Sequence, residues 1–401
     1  MNETLGSATR MDAVQTPIVP VIGALLRQTP GAISLGQGVV HYGPPPEAAE
    51  AARAAIARSE TDQYQDVAGV PALLDRIAQK LAAENGIGAA RDRIMVTAGA
   101  NMAFMHAVLA TTSPGDEVIL PIPFYFNHEM AVQMAGCRVV CVPTDECYQL
   151  SIEGVARAIG SRTRAIVTIS PNNPSGAVYA EAALRRINEL CRDRGLYHIS
   201  DETYEYFTYG SARHVSPGSF AGAEGHTISL YSMSKAYGFA GWRIGYMAYP
   251  AHLASAMSKI QDTILICPPI VSQAAAIAAL DVGRAYCEPR VRELASIREI
   301  VVDQLSALAP LAAVPAADGA FYCLLRINED ALNGARTGAG GLSSMVVAER
   351  LIREYKVAVI PGSAFGISDG CYVRVAYGAL QKETVEAGVG RLVKGLRAIL
   401  S

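Results

Sequence analysis

The stretch AIVTISPNNPSGAVYAEAALRRINELCRDRGLYHISDETY, residues 165–204, reads as a strand, a turn, a helix and a second strand. Ala165–Ile169 is a short apolar run, Ser170–Gly176 is rich in turn formers, Glu181–Arg194 reads as a helix, and Tyr197–Ser200 is apolar again. The same alternation extends to both sides. Strands are expected at Ile94–Thr97, Glu117–Leu120, Arg138–Val142 and Thr227–Tyr231, and helices over Pro46–Arg58, Val70–Ala83, from Asn101, and near Asn127–Ala135. Short apolar strands alternating with helices predict an α/β chain with a mostly parallel sheet covered on both faces. After about residue 285 the pattern changes. A long helix, Arg290–Leu308, precedes strands Ala320–Ile327, Val357–Ile360 and Tyr372–Ala376, and a last helix starts at Lys382. The expected division is an N-terminal arm (1–45) that forms part of the small domain, a large domain (46–285) and a small α+β C-terminal domain (286–401). The loop NGARTGAGGL (333–342) is glycine-rich, is expected to be mobile and is assigned no chemistry.

Composition limits the function. Of 401 residues, 51% are hydrophobic and 18% charged, which excludes a mainly disordered chain. Thirty-four basic against 37 acidic side chains leave a net charge of −3, too even for a nucleic-acid or membrane-surface protein. Pro268–Leu280, broken by Ser272 and Gln273, is too short for a bilayer span, and the start MNETLGSATRMDAVQ lacks the apolar core of a signal peptide. A cytoplasmic location is the expectation. The eight cysteines contain no C-x-x-C pair and the seven histidines no H-x-x-x-H spacing, so neither a disulfide framework nor a metal site is expected.

In α/β sheets, ligands bind beyond the carboxyl ends of the strands. Four segments there carry polar residues that a core would reject: TAGAN (97–101), SPNNPSG (170–176), DETY (201–204), and SMSK (232–235) running on to Arg243. Two hydroxyls, Ser232 and Ser234, and a guanidinium beside Lys235 make a phosphate cradle, and a lysine so placed can condense with an aldehyde cofactor. A solvated surface lysine is the plainer alternative. Asp201, at the end of an apolar strand, is either a helix N-cap or the partner of a protonated ring nitrogen, with Tyr204 in reach of a phenolic oxygen on that ring. Gly99 and Ala100 precede a helix start whose backbone N–H groups suit an anion. Arg374, within the strand Tyr372–Ala376, would be costly without an anion; a carboxylate ligand and a structural ion pair both answer that.

With LGQG (35–38) and YVRVAYG (372–378), these motifs resemble, in order, the class I/II aminotransferases of pyridoxal-phosphate fold type I. PFYFNHEMAVQMAG (123–136), TYEYF (203–207) and KIQDTILIC (259–267) look like plant aminotransferases acting on aromatic amino acids and methionine. The resemblance implies a large domain with a mostly parallel seven-stranded sheet, a smaller α+β domain, bound pyridoxal 5'-phosphate and a homodimer with shared active sites. It implies that Lys235 carries the cofactor and shuttles the proton, and that Asp201 keeps the ring nitrogen protonated. It places Tyr204 and Asn173 on the ring oxygen, Tyr125 stacked on the ring, and Ser232, Ser234, Arg243 and the amides beside Gly99, at Ala100 and Asn101, on the phosphate. Tyr64 would reach the phosphate of the neighbouring subunit, and Arg374, helped by Asn173 and the Gly38 amide, would take the substrate α-carboxylate.

The implied reaction is ping-pong transfer of an amino group from an L-amino acid to a 2-oxo acid. Some aspartate-preferring relatives carry lysine where this chain has Asn101, so aromatic amino acids or methionine are the expected donors. Val39–Gly43 is expected to line the side-chain pocket, with His41 and Tyr42 in reach of an aromatic substrate, although a structural role suits His41 better. The alternatives are an aspartate-type aminotransferase, or a lyase, oxidase or synthase built from the same residues. A ligand-sensing regulator would need a basic DNA-binding segment, which the first 45 residues do not provide.

Overall fold

A computed structural model describes residues 8–334 and 342–400. Residues 1–7 of the N-terminal stretch and 335–341 of the glycine-rich loop lie outside the described residues. Seven strands form the central sheet in the order Ile94–Thr97, Gly245–Ala248, Thr227–Ser232, Tyr197–Asp201, Thr163–Ile169, Glu117–Ile122, Arg138–Pro143. All neighbours pair in parallel except Gly245–Ala248, which runs opposite to both strands beside it. Ile94–Thr97, Gly245–Ala248 and Tyr197–Asp201 are buried almost throughout, as expected where helices cover both faces. The six strands read from the sequence are all present. The seventh, Gly245–Ala248, was not among them, and it decides where Arg243 sits.

Because the other six strands share one direction, Thr97, Ile122, Ile169, Asp201 and Ser232 end along the same edge. The reversed strand begins at that edge. Gly245 is paired with both Thr97 and Ser232, so Arg243, two residues earlier, arrives among the carboxyl ends of its neighbours. A helix, Ala100–Thr111, starts directly after Thr97 at this edge.

A second sheet has the order Ile360–Pro361, Cys371–Ala376, Tyr322–Ile327, Ala312–Ala313 and is antiparallel. The expected strand Val357–Ile360 is divided between two sheets. Val357–Ala358 pairs in parallel with Ile33–Ser34 near the N-terminus, while Ile360–Pro361 joins Cys371–Ala376. The long helix begins earlier than expected, at Arg284, and contains Pro289; it ends at Ser306. Helices Ile18–Arg27, Ala254–Ile264, Ile270–Val282 and Ser344–Tyr355 were not read from the sequence. Among the described residues no helix is long and apolar enough to cross a membrane.

Candidate active site

A cavity opens at the carboxyl edge, lined by Ala100, Asn101, Tyr125, Ile169, Asn173 and Asp201 and, opposite them, by Thr203, Tyr204, Ser232, Ser234, Lys235 and Arg243. Four separate loops and one helix start supply these groups, each held by a strand that ends or begins at this edge.

Lys235 lies three residues beyond Ser232, and its Nζ donates to the Gly38 carbonyl at 2.5 Å. Burial, reinforced by the positive charges of Arg374 and Arg243, lowers its ammonium from 10.5 to about 8, against the pull of Asp201. The lysine is therefore a partly neutral amine near neutral pH.

Asp201 is buried, with Oδ2 3.1 Å from His128 Nε2 and Oδ1 accepting the Thr203 amide at 3.0 Å. Burial alone would raise its carboxyl, but His128 and Thr203 more than offset that and hold it below the usual carboxylate range. A helix N-cap role does not account for this, because the segment after Asp201 is a turn rather than a helix. His128 is itself fixed by stacking on Phe104, ring centres 3.9 Å apart.

The Tyr204 hydroxyl lies 2.7 Å from that of Tyr322 and receives a longer bond, 3.5 Å, from Asn173 Nδ2. Burial pushes Tyr204 well above its ordinary value and raises Tyr125 too, so both remain phenols and potential donors. Tyr125 caps the start of the helix Phe126–Met134 and accepts from Asn127 Nδ2 at 2.8 Å.

At the other end of the cavity the helix Ala100–Thr111 begins on Gly99, whose φ of +84° favours glycine, with no side chain capping its first amides. A Cβ on Gly99 would lie 2.5 Å from a terminal nitrogen of Arg243. Arg243 anchors two of its five N–H donors on the carbonyls of Ala240 and Ala98 and keeps the rest free to bind. Its own φ of +55° is unusual for a non-glycine residue, a strain of the kind found at ligand sites. Free helix amides, two serines and a guanidinium form an anion cradle.

Arg374 stands behind Asn173, almost fully buried. It donates to Asn173 Oδ1 at 2.9 Å and to the Gly36 carbonyl at 2.6 Å, and lies 4.7 Å over the Tyr322 ring and 5.1 Å over that of Phe365. Its Nε has no partner among the described residues, and no acidic side chain pairs with it. The structural ion pair allowed by the sequence is thus not what the described residues show; a buried cation with spare donors suits an incoming carboxylate.

A scan against family models matches residues 30–392 to aminotransferase class I and II. The chain belongs to this family. Among its relatives, an aromatic aminotransferase of Arabidopsis thaliana is 35% identical, covering 96% of this chain and 94% of the relative. A probable aspartate/prephenate aminotransferase of Aquifex aeolicus is 36% identical, covering 92% and 91%. Aspartate aminotransferase from Thermus thermophilus with maleate superposes with a TM-score of 0.88 at 31% identity, covering 98% of this chain and all of that one. This aminotransferase has the pyridoxal-phosphate fold type I, and pyridoxal phosphate is its cofactor.

The cavity fits that cofactor. It offers a nucleophilic amine, an ionised carboxylate, phenol and amide donors, and an anion cradle, groups that suit an aldehyde, a pyridinium nitrogen, a ring oxygen and a phosphate.

Of the residues expected at the site, Gly38, Gly99 and Arg374 stand just behind the lining, next to Lys235, Arg243 and Asn173, and neither Tyr64 nor Tyr42 lines the cavity. Tyr64 is 78% exposed on the surface. Tyr42 packs its ring edge-on to His41 and Tyr286 with Arg290 above it, and His41 contacts Glu293 at 3.2 Å. Both rings of the Val39–Gly43 segment therefore face the helix Arg284–Ser306. The sequence reading missed His128 and Tyr322. His128 had a weak signal, as a lone histidine in the segment after a strand end; Tyr322 had none, being one more aromatic in an apolar strand.

Proposed function

We propose that this aminotransferase moves the amino group of an aromatic amino acid or methionine to a 2-oxo acid in two half-reactions. The observation that carries the substrate class is the charge of the cavity wall. Its only cations among the described lining residues are Lys235 and Arg243, one placed for the aldehyde and one for the phosphate, with Arg374 behind them for the α-carboxylate. Asn101 is neutral, so no cation remains there for a second, distal carboxylate, and a neutral side chain is the better occupant. The aromatic and aspartate/prephenate names of the relatives accommodate this choice.

Pyridoxal phosphate supplies an aldehyde that condenses with amines and a ring that accepts the electron pair left at the substrate Cα. The rest falls to the protein. Lys235 Nζ moves the Cα proton, a task suited to an amine titrating near 8. Asp201, kept ionised by His128 and Thr203, holds the proton on the ring nitrogen. Tyr204 and Asn173 would donate to the ring oxygen, Tyr125 would cover the ring face, and Ser232, Ser234, Arg243 and the amides of Ala100 and Asn101, after Gly99, would hold the phosphate. Arg374 orients the substrate through its α-carboxylate, with Asn173 and Gly38 beside it.

We further infer domain limits at 46 and 285, supported by a central sheet confined to 94–248 and a second sheet confined to 312–376. A homodimer accounts for the exposed apolar residues Ile56 and Tyr64, with Tyr64 reaching the partner's phosphate site. The free thiols of all eight cysteines suit a cytoplasmic setting.

The test is a screen of single half-reactions, reading the absorbance of the bound cofactor after each amino acid is added. Aromatic amino acids and methionine should discharge it at lower concentration than aspartate. A clear preference for aspartate overturns the substrate assignment, and multiple turnovers without a 2-oxo acid overturn transamination in favour of a lyase or oxidase.

A further inference from the structure

Tyr322, like Asn173, touches both Tyr204 and Arg374, the cofactor and substrate ends of the proposed reaction centre. It is fully buried in the strand Tyr322–Ile327 of the smaller sheet, yet its hydroxyl crosses to the larger one and meets the Tyr204 hydroxyl at 2.7 Å. Its ring lies under the Arg374 guanidinium at 4.7 Å. It also presses on the Gly38 backbone, where a Cβ would lie 2.5 Å from the Tyr322 oxygen, and the Gly38 carbonyl is the acceptor for Lys235. Its backbone carbonyl closes on Gly176, at the end of the SPNNPSG turn that carries Asn173, leaving only 2.4 Å to a Cβ there. Three groups assigned to cofactor and substrate, Tyr204, Arg374 and Gly38, are thus held against one phenol, and its backbone packs on the turn that carries a fourth, Asn173.

The direction of the phenol pair follows from its surroundings. Tyr204 needs its proton for the ring oxygen that Asn173 Nδ2 also faces, so its own oxygen is left to accept. Tyr322 sits in the field of Arg374, which limits the rise of its hydroxyl to about 12, whereas Tyr204 is raised well above its ordinary value. With the Tyr204 proton committed to the ring oxygen, Tyr322 is the donor of the pair. A donor into the Tyr204 oxygen polarises the Tyr204 O–H and strengthens its bond to whatever it faces, as hydrogen bonds in a buried chain do.

We propose that Tyr322 is a positioning residue that couples carboxylate binding at Arg374 to the strength with which Tyr204 donates to the bound cofactor. When an anion reaches Arg374, the positive field over the Tyr322 ring falls and the Tyr322 hydroxyl becomes a weaker donor. The hydrogen bond from Tyr204 then weakens in step, and the cofactor's proton affinity rises on substrate binding. This rests on the roles given above to Tyr204 and Arg374, but not on the identity of the substrate side chain.

The test uses the cofactor-loaded enzyme and three variants: Tyr322→Phe, Tyr204→Phe and the double variant. Tyr322→Phe keeps the ring under Arg374 and removes only the hydroxyl. The readout is the pH midpoint of the absorbance change of the bound cofactor, taken alone and with 3-phenylpropionate, a carboxylate that cannot react. For Tyr322→Phe the midpoint should rise by about half a pH unit, about threefold in proton affinity. Adding 3-phenylpropionate should raise the wild-type midpoint more than that of Tyr322→Phe. In the Tyr204→Phe background the second substitution should add nothing. The proposal is overturned if Tyr204→Phe moves the midpoint while Tyr322→Phe leaves both it and its response to the carboxylate unchanged. If Tyr204→Phe itself moves nothing, the role assigned to Tyr204 is what fails. Thermal melting of the cofactor-free variants checks folding; a variant that melts as wild type but shows the shifted midpoint separates coupling from a merely structural part.

Discussion

The reactivity of Lys235 should follow the pH at which its buried ammonium loses a proton. With an ordinary value of 10.5, about 0.03% of the amine would be neutral at pH 7; at about 8, roughly 9% is neutral, a gain of about 300-fold in nucleophile. The perturbation is pH itself, applied to protein stripped of cofactor, and the assay is the rate at which pyridoxal phosphate is captured, followed by absorbance. Borohydride reduction and peptide mapping should place the product on Lys235. The rate should climb about tenfold per pH unit up to about 8 and then level off. Two variants should move the break in opposite directions. Arg374→Leu removes a charge that opposes the ammonium and should shift it upward, while Asp201→Asn removes the charge that favours it and should shift it downward. The same depression has a cost in stability. The charged lysine destabilises the folded protein by about 3 kcal/mol below pH 8, and this is relieved as pH rises from 8 toward 10.5, where the unfolded chain still holds its proton. A break near 10 or above, or equal breaks in the two variants, would refute the claim that burial between these charges activates the amine.

Asp201→Ala should still bind the cofactor through the anion cradle and Lys235, but turn over at least about a hundredfold more slowly, since the ring nitrogen loses its proton anchor. Spectral titration separates the two effects, and near-normal turnover would contradict the role. Gly99→Ala should weaken cofactor binding about tenfold or more, because the added methyl meets Arg243 at 2.5 Å on a backbone with φ +84°. Equilibrium dialysis of the cofactor would show it, with no change expected in the pH midpoint of the bound cofactor's absorbance.

The alternation of strand and helix from Ile94 to Ser232 was legible because it is local: each strand is a short apolar run, buried on both faces except at the edge strand Arg138–Pro143. Gly245–Ala248 escaped because four residues beginning with glycine, directly after a loop, carry no period of their own. Ala254–Ile264 and Ile270–Val282 escaped for another reason, since their apolar and alanine-rich runs lack the capping residues that mark a helix start. At the site, residues at strand ends were readable from position and type, as with Asp201 and Lys235. Residues that act across the chain were not. Tyr322 is 118 positions from Tyr204, and nothing in its own strand separates it from the core aromatics around it. Tyr42 is a related case: its segment, Val39–Gly43, was expected to line the side-chain pocket, and its ring packs against Tyr286 and Arg290.

The pairing of Ser232 with Gly245 makes the intervening segment a closed loop standing on an antiparallel hairpin, and that loop holds Ser234, Lys235 and Arg243 together. Its base is anchored inside the central sheet, where both of its strands have a neighbour on each side, so strand pairing fixes the two ends of the loop. The segment that carries Gly36 and Gly38 meets this loop through the hydrogen bond from Lys235 to the Gly38 carbonyl and through the close packing of Gly238 on the Tyr42 and Gly43 carbonyls, and Arg374 of the smaller sheet is tied to the same segment at Gly36. Labour is thus divided by sheet: one loop of the larger sheet gathers the groups assigned to the phosphate and the aldehyde, while the smaller sheet brings Arg374, assigned to the amino acid's carboxylate.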